Sequence, residues 1–196
     1  MPQAGGANRL SPVRARAVPG EVTGEILLLT GPPGSGKTTT AAMLARRPGM
    51  PKVHLHADDF FHAIGHGAIA PWLPAAHAQN GVVMGALAAA AAAYAGGGYL
   101  TIVDGIVGPW FVDAFASMQA TLHYIVLRPR LDDAIARCRA RGGDSLADPD
   151  VIAALHRQFA DLGPLERHVL PVGGLDREAV LAAVGAALES GRFRLA

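Results

Sequence analysis

Charge is scarce in this sequence. Lys and Arg together number 17, Asp and Glu 16, and the net charge is +1 over 196 residues. The chain therefore lacks the basic field with which a sequence-independent nucleic-acid binder neutralises phosphates, and no nucleic-acid partner is expected. Cysteine occurs once, at Cys138. That excludes an intrachain disulfide and a cysteine-pair zinc site, and it suits a reducing cytoplasm. Long hydrophobic runs are missing too. The longest, from Val82 to Ala95, is mostly alanine and too short to span a bilayer, so no membrane association is expected and a covered helix is the better reading. Residues 1–20 carry Gly, Pro, Ala and three arginines, Arg9, Arg14 and Arg16, without the apolar stretch of a secretory signal. They read as a disordered leader, leaving 21–196 as a single domain.

What is present is apolar residue, 51% of the chain, enough to bury a core without staples. Glu25-Ile26-Leu27-Leu28-Leu29-Thr30 is a short apolar run closed by glycine, the pattern of a strand covered on both faces. Similar runs lie at Val53 to Ala57, Tyr99 to Asp104, Leu122 to Leu127 and His168 to Val172. Helical segments separate them: Lys37 to Arg46, Gln79 to Ala95, Trp110 to Met118, Leu131 to Arg141, Asp150 to Asp161 and Leu175 to Glu189. Such alternation predicts an α/β fold with a parallel sheet sandwiched between helices.

The first strand runs into Gly31-Pro32-Pro33-Gly34-Ser35-Gly36-Lys37-Thr38, a full match to G-x-x-x-x-G-K-[ST] between a strand and a helix. A phosphate chain needs converging backbone N–H groups, and glycines let the backbone curl close while the helix offers its positive end. Residues 31 to 38 and the following Thr39 are thus the expected nucleotide-binding set, with Lys37 on the β- and γ-phosphates and Thr38 on Mg²⁺. ATP and Mg²⁺ are the expected cofactors. Asp104 ends the apolar run Leu100-Thr101-Ile102-Val103 at the carboxyl edge of the sheet. It is the second expected metal-side group, acting through a water or by orienting Thr38.

Chemistry beyond binding is expected of His54-Leu55-His56-Ala57-Asp58-Asp59-Phe60-Phe61, where the second strand leaves the sheet. An aspartate there can align an acceptor hydroxyl and take its proton late. Residues leaving a strand alternate sides, so one carboxylate is expected to serve; Asp58 is the choice, with Asp59 toward solvent. His54 and His56 share a strand face and His62 and His66 would share a helix face, but spacing supplies no third zinc ligand.

With these residues in view the chain resembles the P-loop small-molecule kinases, among them the chloramphenicol phosphotransferases and zeta-toxin-like kinases. The resemblance spans most of residues 25 to 190, and the phosphate loop is its specific part. It implies a P-loop NTPase fold of five parallel strands flanked by helices, a helical lid, and a catalytic base at Asp58. Lid candidates are Arg128, Arg137 and Arg141; the last two lie four apart on one helix face, and the resemblance to kinase lids favours Arg137 for catalysis and nucleotide contact. Gly142-Gly143 would follow as a hinge.

From Phe60 to Val103 no Asp, Glu, Lys or Arg occurs, although this stretch should form much of the acceptor pocket. A buried anion must be paired, so the acceptor is expected to be a neutral or cationic alcohol, with an uncharged one the choice. His56, Asp58, Phe60, Trp72, Asn80 and Asp104 are the expected acceptor-side residues. The reading is an ATP-dependent phosphotransferase acting on a hydroxyl of a small molecule, an antibiotic or other metabolite. Its alternatives are a regulatory NTPase and a nucleoside or nucleotide kinase that draws arginines such as Arg157 or Arg167 from elsewhere.

Overall fold

Strands that must be covered on both faces carry unbroken apolar runs, and β1 (Glu25–Thr30) is buried along nearly its whole length. In the computed structural model, which describes residues 24–116, 119–141 and 146–195, β1 lies at the centre of a five-stranded sheet of order β2-β3-β1-β4-β5. The other strands are β2 (Lys52–His56), β3 (Leu100–Gly105), β4 (Thr121–Arg128) and β5 (Val169–Pro171). Every pairing is parallel. The carboxyl ends of β1, β2 and β3 therefore open on one edge, where α/β folds bind ligands.

Side-chain alternation along β1 divides the core in two. Ile26 and Leu28 pack with Met84, Leu87, Ala91 and Phe115, which come from α3 (His77–Gly96) and α4 (Pro109–Ala116). Leu27 and Leu29 pack on the opposite face with Leu44 of α1 (Lys37–Ala45) and Val180, Leu181 and Val184 of α7 (Arg177–Glu189). Two further helices, α5 (Leu131–Arg141) and α6 (Pro149–Arg157), share a small cluster of their own, Ala134, Cys138 and Ile152. They form the helical lid over the carboxyl edge. Asp148 caps α6, accepting from the Asp150 N–H at 2.9 Å. Among the described residues no helix is long and apolar enough to cross a membrane.

The expected strands and helices are all found, with boundary shifts that have causes. The chain does not leave β2 as extended backbone: α2 (Ala57–His62) starts at once, so Asp58 and Asp59 stand in the first turn of a helix. Their divergence follows from helical rotation, not strand alternation. α2 ends at His62, so His62 and His66 share no helix face. α3 starts at His77, after a 3₁₀ turn over Pro74–Ala76, and not at Gln79. α6 stops at Arg157, short of Asp161, because the chain turns there to sink Phe159 and Leu162 into the main core beside Phe115. The leader at 1–20 and the Gly142-Gly143 hinge lie outside the described residues.

Candidate active site

The phosphate loop joins β1 to α1. Gly34 and Gly36 adopt φ +73° and +90°, conformations that any larger residue resists. At Gly34 a Cβ would also collide with the Ala134 backbone of α5, so the missing side chain lets the lid helix seat directly on the loop. α1 starts at Lys37 with no side chain capping its first turn, leaving free N–H groups at the positive end of the helix dipole. Lys37 folds back, its Nζ donating to the Pro32 carbonyl at 3.4 Å. Burial pushes its pKa down, opposed by the charges of Asp104 and Asp58.

Beneath the loop, the parallel register sets His56 of β2 opposite Asp104 of β3. Asp104 is fully buried and ringed by donors. Thr38 Oγ1 donates to its Oδ2 at 2.6 Å, His54 Nε2 to Oδ1 at 2.5 Å, and His56 Nδ1 to Oδ2 at 3.1 Å. Burial alone would raise its pKa, but hydrogen bonds from His54, His56 and Thr38 outweigh it and hold the carboxyl well below the usual range. The other nitrogen of His56, Nε2, pairs with Asp58 Oδ2 at 3.3 Å. Hydrogen bonds to Asp104 and then Asp58 push the His56 pKa up to about 10, and the same bond lowers that of Asp58. An imidazolium thus bridges the two carboxylates. His54 was visible in the sequence only as a partner on His56's face; strand register, which the sequence does not display, gave it a role.

Two cavities meet at the loop. One, of about 780 Å³, lies between Gly34, Gly36, Thr39, Arg137 and the segment Leu175, Asp176, Arg177. The other, of about 1310 Å³, runs from Pro33, Lys37, Thr38 and Asp58 to Trp72, Trp110 and Phe111. Gly34, Thr39 and Arg141 border both. Of the expected acceptor-side residues, His56, Asp58, Trp72 and Asn80 line the larger cavity. Phe60 and Asp104 do not: Phe60 and Phe61 of α2 both pack against the core, and of the two only Phe61 also borders the cavity. Asp104 is sealed under Thr38 and the two histidines. Gln79 and Asn80 secure the cavity rim, Gln79 bonding both to the Ile69 N–H and carbonyl and Asn80 donating to the Pro71 carbonyl at 2.7 Å.

The arginines divide. Arg137 donates to the Gly34 and Leu175 carbonyls at 3.4 and 3.2 Å, tying the loop to the segment before α7. Arg141 stands where the cavities join. Arg128 is forked onto Glu166 at 2.6 and 2.8 Å and faces neither cavity. Arg157 and Arg167 line neither one. Trp110 and Asp148, not singled out in the sequence, border the larger cavity; no local pattern marks them, since the lid and α4 reach it from distant parts of the chain.

The sequence profile of the AAA domain family matches residues 27–149, from the first strand to the start of α6. The chain belongs to this AAA domain family. No curated protein matches this AAA domain in sequence. Among solved structures, a sugar kinase from Janibacter sp. HTCC2649 aligns with a TM-score of 0.65 at 18% identity, over 85% of this chain and 95% of that one. The Deinococcus radiodurans tunicamycin resistance protein aligns at 0.64 and 18% identity, over 84% and 95%. A gluconokinase from Sinorhizobium meliloti aligns at 0.59 and 14%, over 86% and 93%. These likenesses show a shared P-loop NTPase fold, and at the level of fold the resemblance to P-loop small-molecule kinases holds.

The residues present fit Mg²⁺. Thr38 offers a hydroxyl oxygen on the cavity wall beside Lys37, and Asp104, sealed behind it, accepts a hydrogen bond from that hydroxyl at 2.6 Å. That is the donor set of a cation completed by phosphate oxygens and water.

Proposed function

We propose that this AAA domain protein transfers the γ-phosphoryl group of ATP to a hydroxyl of a small, uncharged molecule, an antibiotic or other metabolite. The observation that carries the reading is Asp58: a carboxylate beside Lys37 and Thr38 in a large cavity that continues away from the phosphate loop. In the reaction the acceptor oxygen bonds to the γ-phosphorus as the bond to the β,γ-bridging oxygen breaks, ADP leaves, and the hydroxyl proton passes to an Asp58 oxygen. Its lowered pKa keeps Asp58 ionised and able to accept, and because the proton moves late in a loose transition state, little basicity is asked of it. Loop N–H groups and Lys37 hold the phosphates, while Arg137 and Arg141 offset charge from the lid side. When bound, Mg²⁺ would be held through Thr38 with Asp104 behind it and would neutralise phosphate charge.

A regulatory NTPase would need neither an acceptor cavity nor a carboxylate at its floor. A nucleotide kinase would need a cation for the acceptor's phosphate; neither Arg157 nor Arg167 borders the cavity, and Arg141, which does, stands at its junction with the smaller cavity by the phosphate loop. The cavity supports transfer to a neutral alcohol, and the lone cysteine suits a cytoplasmic setting for it. In a screen of ATP, Mg²⁺ and a panel of alcohols, antibiotics, nucleosides and sugars, one acceptor is expected to gain a phosphoryl group by mass. Asp58→Asn should then lower transfer by about 10²–10⁴-fold while ATP affinity stays nearly unchanged. Full transfer by Asp58→Asn removes the base assignment, and an unmodified panel despite ATP binding returns the regulatory reading.

A further inference from the structure

The larger cavity draws its charged and its aromatic lining from different elements. Its charged side chains, Lys37, His56, Asp58, Arg141 and Asp148, come from the phosphate loop, the end of β2, the start of α2 and the lid. Beyond them stand Trp72, Trp110, Phe111, Ile69 and Met84. His62 and Gln158 also border the cavity, but the two amides at the start of α3 are turned mostly to the backbone of the facing loop. Gln79 spends both its oxygen and its nitrogen on Ile69. Asn80 gives its NH₂ to the Pro71 carbonyl, while its Oδ1 is buried without a hydrogen-bond partner. A polyhydroxy molecule pushed to this end would lose water from each hydroxyl and meet few replacements.

The same end exposes apolar surface. Trp72 is 50% exposed, Trp110 43% and Ile69 37%, and all three border this one cavity. Trp110 is not free to retract: it lies edge-on to Phe159, with ring centroids 5.9 Å apart, and covers the Cα of Gly108, where a Cβ would strike its ring. Phe111 is stacked on His77 at 5.8 Å. Pinned aromatic rings left open to water are surface awaiting an apolar partner. The volume of about 1310 Å³ exceeds the roughly 300–1,000 Å³ of common small-molecule sites, leaving room for more than one sugar ring.

From this polarity we infer that the acceptor is amphipathic: a neutral molecule whose reacting hydroxyl meets Asp58 and whose remainder is an apolar ring system or chain bedded against Trp72, Trp110 and Phe111. The inference rests on the phosphotransfer reading for its hydroxyl end and on the far wall for its body.

The chain has 2 tryptophans, Trp72 and Trp110, so intrinsic fluorescence reports this cavity directly. The full-length protein, with Mg²⁺ and a non-hydrolysable ATP analogue, is titrated with matched neutral alcohols, glucose against octyl glucoside below micelle formation and glycerol against 3-phenoxypropane-1,2-diol. Gluconate and a nucleoside monophosphate serve as charged controls. The apolar-bodied member of each pair should shift tryptophan emission saturably and bind about tenfold or more tighter than its parent. Trp72→Ala, at an exposed site, and Trp110→Phe should each reduce that difference, Trp72→Ala the more. ATP then replaces the analogue and product is read by mass. Tight binding of the apolar-bodied probes without phosphoryl gain keeps the amphipathic pocket and removes the phosphotransfer reading. Preferred transfer to glucose or gluconate keeps phosphotransfer and overturns the inference. Equal binding within each pair, or no binding by any probe, overturns it as well.

Discussion

His56 has no free ring nitrogen: Nδ1 is bonded to Asp104 at 3.1 Å and Nε2 is paired with Asp58 at 3.3 Å. In the proposed transfer its part would be to hold the direction of Asp58, a side chain otherwise largely open to solvent. Replacing it by Phe keeps the ring's bulk and removes both bonds. His56→Phe is expected to lower kcat by about tenfold or more, with the ATP KM little changed, since only the interaction made near the reacting hydroxyl is loosened. His56→Gln, which can still donate, should recover part of the loss. Steady-state kinetics with an acceptor identified by the screen measures both. An equal rise in KM and no change in kcat would instead mark His56 as a wall of the pocket.

At the scale of elements, α5 is the piece that couples the two cavities. It sits on Gly34 because that residue has no side chain, and it presents Arg137 and Arg141 one turn apart. Arg137 is spent on the Gly34 and Leu175 carbonyls beside the smaller cavity, whereas Arg141 borders both. Arg137→Ala should therefore weaken ATP binding most, seen as a raised Kd in calorimetry. Arg141→Ala should lower kcat by about 10-fold or more with a smaller change in ATP Kd, because a charge at the junction acts on the phosphoryl group in transit. The reverse pattern would exchange the two roles.

At the scale of the whole molecule, pH acts through two histidines remote from the site. His123 on β4 is buried, neither ring nitrogen has a hydrogen-bond partner, and its nearest charges are Glu25 at 3.8 Å and Arg194. His168 is buried as well, with Nδ1 bonded to the Tyr124 carbonyl at 3.0 Å. Burial pushes both pKa values below the ordinary 6.5. The fold holds these rings neutral, so below that value the unfolded chain binds more protons and stability falls as pH falls. His56 acts in the opposite sense: its raised pKa of about 10 contributes stability that is complete below 6.5 and is lost as pH rises through about 10. Tm should drop between pH 7.5 and 5.5, by about 2–4 °C for each kcal/mol lost. His123→Gln should flatten that slope; an unchanged slope would show that His123 titrates alike folded and unfolded.

Local chemistry was legible without the fold. The phosphate loop is contiguous and needs its glycines for backbone reasons, and buried parallel strands announce themselves as unbroken apolar runs, so the sheet and the nucleotide end of the site could be read from residues 25–38 and their echoes. The position of Asp58 beside the phosphate loop was legible from its place after the second strand. The sequence by itself also determined that the stretch from Phe60 to Val103 would be free of charge. Tertiary structure decided the rest. Parallel register joined His54 and His56 to Asp104, helical rotation in α2 brought Phe61 and not Phe60 to the cavity, and the seating of α5 separated Arg137 from Arg141. Those outcomes depend on contacts between residues distant in the chain, and one residue's shift in register or a fraction of a helical turn reverses them.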